Sequence, residues 1–367
     1  MKPKLGQSNL LLPLVPVEVL KRFHVHERHD DRLKSCLRLM QALWLRQRKV
    51  PTGVHIGRDG TPRRLGSRLS ATAAMAGRNF LSPGLAELAH RTIAYREPGA
   101  FLDHDRTLGN ALSSTSLCLN VMGLLAFDLD LAARVLRRLL PDQDVDTVTT
   151  VRFEHSPAKR GIGENDRSAH DCCVWFTRKR RSRHAQRVGV LAMEWKLSES
   201  LYESAPCRPG RYDDLAEASG LFKEPYHGAL RVNPLQQLFR EHLLAQAAVI
   251  RGDWPSGVMV TVAPAAADRV QRQADLYAAF LKPTLEGQVP FHHLTLDAVI
   301  NAIAVAGAPD AAAALFDRYL DWGKVHALVA AALKARVGNW QKTKATVPSL
   351  KLIGLAASHE PTILHPA

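Results

Sequence analysis

The chain has 367 residues, 46% hydrophobic and 23% charged, enough apolar material for a sizeable core in one large or two moderate globular domains. Its 49 Lys and Arg against 35 Asp and Glu leave a formal charge of +14, a balance that favours polyanionic partners such as nucleic acid. Five scattered cysteines, Cys36, Cys118, Cys172, Cys173 and Cys207, show no CxxC spacing, which argues against a disulfide framework or structural zinc and fits a reducing cytoplasm. The apolar run near the N-terminus is broken by Gln7, Ser8, Asn9, Pro13, Pro16 and Glu18, so it does not read as a signal peptide. No apolar run is long enough to span a membrane.

Residues 1–105 read as a basic, partly helical region. A helix-like run covers Arg32 to Gln47. The Gly-, Pro- and Arg-rich stretch from Pro51 to Arg68 reads as a solvated loop, with Arg58, Arg63, Arg64 and Arg68 available to phosphates. His24, His26 and His29 in "HVHERHDD" match no common zinc spacing and read as a solvated helix start. From Ser113 to Leu140, apolar residues at helical spacings around Leu117, Val121, Leu124, Leu131, Val135 and Leu139 predict two helical pieces, divided near Gly123 and Asp128. Pro141 stops the second, and the β-branched run from Thr147, with Val148, Val151 and Phe153 apolar, predicts a strand.

Asp171 to Lys196 carries two strand-like runs around the basic turn Arg178 to Arg187. Side chains alternate along a strand, so Glu194 and Lys196 share one face while Met193, Trp195 and Leu197 take the other. A hairpin centred between Ser182 and Arg183 sets Asp171 opposite Glu194. Beyond a loop with Pro206, Pro209 and Gly210, a helix is predicted with Asn233 as its cap, Pro234 in its first turn and Leu235, Leu238, Phe239 and Leu243 as its apolar stripe. Arg251 and Gly252 mark its end. The strand "GVMVTVAP" follows, and a strand joined to a later strand through a helix favours a parallel, right-handed crossover. Gln271 to Leu281 and Leu294 to Tyr319 read as helices, the second broken at Gly307 to Pro309. The pattern fades from Asn339 towards a loosely held tail.

Two acids and a lysine on a strand pair suit phosphodiester hydrolysis. Hard Mg²⁺ prefers oxygen ligands, activates water and neutralises phosphate charge. Lys196 is placed to orient the attacking water or stabilise developing charge, and the Trp195 backbone carbonyl is a further ligand. Other chemistries fit less well. Cys172 and Cys173 beside His170 suggest a thiol nucleophile, but adjacent strand residues face opposite sides and buried cysteines usually act as small hydrophobes. A glycosidase pair would want more aromatic residues for sugar stacking. "GIGE" at 161–164 lacks the lysine of a phosphate-binding loop. The basic turn, with Arg178, Lys179, Arg180, Arg181 and Arg183, is expected to lie beside the acids and add salt-dependent affinity for DNA.

Asp171 followed by a hairpin to "EWK" at Glu194 to Lys196 resembles the PD-(D/E)XK restriction-endonuclease-like superfamily of nucleases. "SSTSLCLN", "FEHSP" and "QLFR" are further similar to bacterial restriction-endonuclease-like members. The resemblance implies an α/β fold, with an α-β-β-β-α-β mixed sheet flanked by helices at 106–285, helical regions added at 1–105 and 286–340, and a flexible tail at 341–367. It implies that Asp171 and Glu194 bind Mg²⁺ or Mn²⁺, that Lys196 is the catalytic lysine, and that Glu154 is the additional acid, carried here on the first strand rather than the first helix. Gln237 resembles the glutamine some members project from the helix after the ExK strand, with Arg240 one turn on as a DNA contact. His170 stands where the motif has proline. The expected activity is that of a cytoplasmic, metal-dependent DNA endonuclease in defence or repair. Double-strand cutting would suit a homodimer, and a restriction role would add a modification enzyme as partner. The alternative is a nucleic-acid-binding or assembly protein that keeps the fold without cleavage.

Overall fold

The computed structural model describes residues 11–56, 60–97, 102–157, 169–179, 187–199, 201 and 211–346. The N-terminal part contains α1 (Val17–Arg22), α2 (Arg32–Gln47), a hairpin of β1 (Thr52–Ile56) and β2 (Pro62–Leu69), α3 (Ala71–Met75), α4 (Pro83–Ala94) and α5 (His104–Gly109). Asp31 starts α2 by accepting the Lys34 N–H at 2.9 Å, which gives the His-rich segment the role of a helix start. The stretch read as a solvated loop from Pro51 is instead largely the β1–β2 hairpin. Leu65 and Leu69 are buried and anchor its inner end. Gly66 permits the approach, because a Cβ there would stand 2.0 Å from the Phe23 carbonyl oxygen, next to where the Gly66 N–H donates to His24 at 2.8 Å.

The core follows as α6 (Ser114–Phe127), α7 (Leu129–Leu139), β3 (Val145–His155), β4 (His170–Arg178), β5 (Val188–Trp195), α8 (Arg211–Ser219), α9 (Gln236–Ile250), β6 (Gly257–Ala263), α10 (Asp268–Ala279) and β7 (Phe291–Thr295). Helices α11 (Leu296–Val305), α12 (Pro309–Tyr319) and α13 (Trp322–Thr346) complete the described chain. The sheet order is β3-β4-β5-β6-β7. β3, β4 and β5 pair antiparallel, and β5, β6 and β7 pair parallel.

The sheet is covered on both faces. Val174, Phe176, Leu191, Met193, Trp195, Val258 and Val260 pack into one cluster with Leu117 and Val121 of α6, Val135 of α7, Ile303 of α11 and Met40 of α2. The alternate residues Cys173, Val190, Ala192 and Met259 meet Ala245 and Ala248 of α9 and Trp254. Burial on both sides explains why β5 and β6 read as near-continuous apolar runs. At roughly 1.5–3 kcal/mol for each large side chain removed from water, this sandwich is the rigid platform for everything on its strand ends. No single helix among the described residues is long and apolar enough to cross a membrane.

Three local expectations are corrected. Asn233 does not cap α9, which starts at Gln236 behind Leu235; the Val232 carbonyl takes the Leu235 and Gln236 N–H groups at 3.1 and 3.0 Å, so the preceding turn supplies the acceptor a capping side chain would have given. The region expected to be helical from 286 begins with β7, a fifth strand. Its sequence "FHHLT" is short and half-buried throughout, too weak a pattern to show itself, and its last residue caps α11 through the Thr295 side chain. The chain from Trp322 continues as α13 to Thr346, past the point where apolar periodicity fades.

Candidate active site

Three acids come from the three antiparallel strands. The β3–β4 register pairs Phe153 with Cys172 and His155 with His170, which sets Glu154 opposite Asp171. The β4–β5 register pairs Cys172 with Met193, which sets Asp171 opposite Glu194. Opposed residues on neighbouring strands share a face, and Glu194 follows Val190 and Ala192 onto the face covered by α9. The same line continues through Thr261, paired with Glu194, and His293, paired with Thr261. Glu154 has φ 51°, a left-handed conformation that costs a non-glycine residue about 1–3 kcal/mol and is tolerated where surrounding structure holds it. The β3–β4 register nonetheless runs on unbroken from Phe153 to His155.

Helix α9 closes over this row and brings an amide into it. Gln237 Nε2 donates to Glu194 Oε1 and Glu241 Oε1, both at 2.8 Å. Lys196 Nζ donates to Gln237 Oε1 at 3.0 Å and lies 2.9 Å from Glu194 Oε1. The chemistry dictates the amide's orientation, since only its NH₂ can face two carboxylates and only its oxygen can face an ammonium. Asp171 Oδ2 accepts the Trp195 N–H at 2.7 Å. Because the Lys196 N–H goes to Val262 of β6 at 2.8 Å, the backbone groups of Trp195 face the other way, and its carbonyl leaves β5 on the side of Asp171.

Burial sets the electrostatics. Glu154, Glu194, Lys196 and Glu241 are 8%, 6%, 5% and 6% exposed. Burial, then the charges of Asp171 and Glu194, pushes the Glu154 carboxyl well above the usual carboxylate range. Burial and the Glu194 charge do the same to Asp171 and to Glu241. Burial disfavours the Lys196 ammonium, but Glu194 and Glu241 outweigh it and raise its pKa above that of ordinary lysine. Lys196 is therefore a fixed cation at neutral pH, surrounded by more carboxylates than it can balance.

An acid heading one strand, Glu-x-Lys ending the next and a helical crossover to a parallel strand all lie within residues 28–321. Those residues match a family model described as the PD-(D/E)XK nuclease superfamily. The chain belongs to that superfamily. No curated protein and no solved structure matches it.

PD-(D/E)XK nucleases typically use divalent metal ions. Among the described residues, no three His, Cys, Asp or Glu side chains converge as metal ligands, and Glu194 is paired with Lys196 and Gln237. The donor chemistry nevertheless fits such an ion. Asp171 Oδ1, Glu194 Oε2 and both Glu154 carboxylate oxygens accept no hydrogen bond from any described residue, and all are hard oxygen donors of the kind Mg²⁺ and Mn²⁺ prefer.

The nucleic-acid contacts expected in this PD-(D/E)XK chain are placed differently. Arg178 lies at the opposite end of β4 from Asp171, about 23 Å away at ~3.3 Å per residue. It is half-buried, donating to Ser256 Oγ at 2.6 Å and Gln143 Oε1 at 2.9 Å and lying over the Phe176 ring. Lys179 is exposed at that same far end, and Arg180, Arg181 and Arg183 lie outside the described residues. Arg178 and Lys179, the described start of the basic turn, are thus not beside the acids, because they stand at the end of β4 opposite Asp171. Arg240 is half-buried with its guanidinium 6.0 Å from the Tyr212 ring centre, directed at a core aromatic. Cys172 and Cys173 are buried on opposite faces, and burial pushes the Cys173 thiol up. His170 is fully buried with neither ring nitrogen hydrogen-bonded, and burial pushes it down to about 3, so it is no base for a cysteine nucleophile. Cys207 lies outside the described residues.

Sequence reasoning missed Glu241, Glu199 and Arg106. Glu241 had a readable signal, being one helical turn beyond Gln237 on the same face. Glu199 and its partner Arg106 had none, since 93 positions separate them.

Proposed function

We propose that the protein is a Mg²⁺- or Mn²⁺-dependent endonuclease of DNA, restriction-like in its chemistry. One observation carries this reading: Glu154, Asp171 and Glu194 stand in register on adjacent strands, with Lys196 two residues beyond Glu194. A divalent ion held by Asp171, Glu194 and the Trp195 carbonyl, with Glu154 completing the set, would neutralise phosphate charge and lower the pKa of water. Lys196 stays protonated, and its ammonium orients the attacking water or faces charge building on the phosphate. Gln237 holds that ammonium in place, and Glu241 holds Gln237. The +14 charge of the chain supports a polyanionic substrate, and the four cysteines among the described residues, all buried and free, suit the reducing cytoplasm proposed for it.

The test is cleavage of supercoiled plasmid with Mg²⁺ by the wild type, Asp171→Ala and Lys196→Ala. Nicked or linear DNA from the wild type alone is expected. Equal cleavage by all three, or cleavage that survives EDTA, refutes the assignment. DNA uptake without metal and without cleavage would favour a non-catalytic nucleic-acid-binding protein.

A further inference from the structure

We infer that the β1–β2 hairpin docks in the major groove of duplex DNA, entering with the face that carries Val54, Ile56 and Arg64; the inference deepens the nuclease reading above and rests on it. The register pairs Val54 with Arg64 and Ile56 with Pro62, and residues two apart on a strand share a side. Val54 and Ile56 are 57% and 67% exposed, and Arg64 is exposed beside them. Arg64 Nε donates to Thr52 Oγ1 at 3.2 Å, and among the described residues its two Nη groups have no partner. The opposite face is used within the chain. There Arg63, paired in register with His55, forms an ion pair with Glu27.

The base of the hairpin is tied to the end of the sheet that bears the acids. The Ser67 carbonyl accepts the Ala111 N–H at 3.1 Å, and Arg68 forms an antiparallel bridge with Asn110. One residue on, the Leu112 carbonyl accepts Ser198 Oγ at 3.4 Å, and Ser198 lies two residues past Lys196. A duplex whose phosphodiester sits at the acid row therefore passes the hairpin. The five residues of β1 span roughly 17 Å, and a major groove ~12 Å wide and ~8.5 Å deep admits a two-stranded ribbon. Charge selects the occupant. Neither strand carries an Asp or Glu, while β2 contributes Arg63, Arg64 and Arg68; Arg58 lies outside the described residues. A second copy of the chain fits worse, because across a twofold axis this face would meet itself and set arginine against arginine. Branched aliphatic side chains suit thymine methyl groups and a guanidinium suits guanine O6 and N7, so the face is matched to base edges.

Duplex binding by the full-length Asp171→Ala chain in EDTA tests this with two probes of one plasmid-derived sequence. One is plain DNA; the other carries glucosylated hydroxymethylcytosine, whose sugars fill the major groove. The chain with an intact hairpin should bind the plain probe more tightly. Arg64→Ala should lower affinity for plain DNA about tenfold, the scale of one arginine–base contact, with Arg64→Lys in between. Val54→Ser combined with Ile56→Ser should weaken binding and abolish the preference between probes. All three side chains are exposed, so melting temperatures should not move. In the cleaving chain with Mg²⁺, sequencing the ends of cut plasmid should show that Arg64→Ala redistributes the cleavage positions. Equal binding of both probes by the intact hairpin overturns the inference, as does unchanged affinity in the variants. A dimer that the double serine variant dissociates, with DNA affinity unchanged, overturns it too and makes the face a contact between copies. Unchanged affinity beside normal Mg²⁺-dependent cleavage defeats the hairpin and leaves the nuclease reading standing. Binding that the variants lose, in a chain that never cleaves, defeats the nuclease reading and leaves the hairpin as a DNA contact.

Discussion

Replacing Lys196 with methionine keeps most of the aliphatic stem and removes the charge that the acid row is built around. The ammonium sits 2.9 Å from Glu194 and is 5% exposed, so its loss leaves several buried carboxylates facing one another. The folded chain then either keeps an unpaired buried charge or takes up a proton. The second route sets the ceiling. Protonating a glutamate whose unfolded pKa is ~4.3 costs 1.36 kcal/mol per unit, hence about 4 kcal/mol at pH 7 and about 1 kcal/mol at pH 5. The pH 7 figure lies within the ~3–5 kcal/mol usually lost when one partner of a buried pair is removed. The sign follows from proton counting: the folded variant binds a proton that its unfolded chain does not, so its stability falls as pH rises through this window. Urea unfolding of wild type and Lys196→Met at pH 7 and pH 5, both in EDTA, measures the difference at each pH. A deficit of equal size at both, or one under about 1 kcal/mol at pH 7, would show that Lys196 is not the compensating charge.

Two further outcomes follow from the same geometry. Mg²⁺ or Mn²⁺ at 100 times its dissociation constant should stabilise the wild type by about 2.7 kcal/mol, and Asp171→Asn should lose most of that gain; thermal unfolding with and without EDTA reads it directly. His242 is buried between Tyr277 and the Val289 carbonyl, and burial, partly opposed by that carbonyl, pushes it down to about 4. Between its unfolded pKa of ~6.5 and about 4, the unfolded chain binds a proton that the folded chain refuses, so stability is lost as pH falls, by about 3 kcal/mol in full. His242→Asn should flatten that part of the urea-derived pH profile, leaving the share of His170, whose shift has the same sign.

The opposition of Asp171 and Glu194 was legible because a strand has a period of two and a hairpin folds about its turn: two numbers, the turn centre and the strand parity, determine which side chains meet. Gln237 was legible only through the family resemblance, as the glutamine projected from the helix after the ExK strand, and it is half-buried where that helix meets Lys196. Glu154 was readable as a nearby acid, but not as the one opposite Asp171. Its register is set by the pairing of β3 with β4 and its backbone is left-handed at Glu154 itself, neither of which the run "VRFEH" encodes. The β1–β2 hairpin was hidden because its decisive residue is a glycine, and Gly66 matters through the carbonyl of Phe23 that a side chain would strike. Glycine in a Pro- and Arg-rich stretch otherwise signals a loop.

The basic turn shows why a charge run is a poor guide to a binding surface. Arg178 to Arg187 is the densest cationic stretch in the hairpin, and its membership of that hairpin suggested nearness to the acids. Yet in an antiparallel pair the turn and the free strand ends are the two most distant parts of the motif, separated by the full strand length. Every residue that makes the strands long enough to be buried on both faces also moves Arg178 and Lys179 away from Asp171. Arg106, whose charge is felt at Glu154, arrives from a short helix 65 positions before Asp171 and pairs with Glu199, just past β5. It is positioned by the closure of α5 and α6 onto the end of β5, a tertiary event with no local pattern. For this fold, the end of the sheet to which a charge belongs decides its use, and the number of neighbouring arginines in sequence does not.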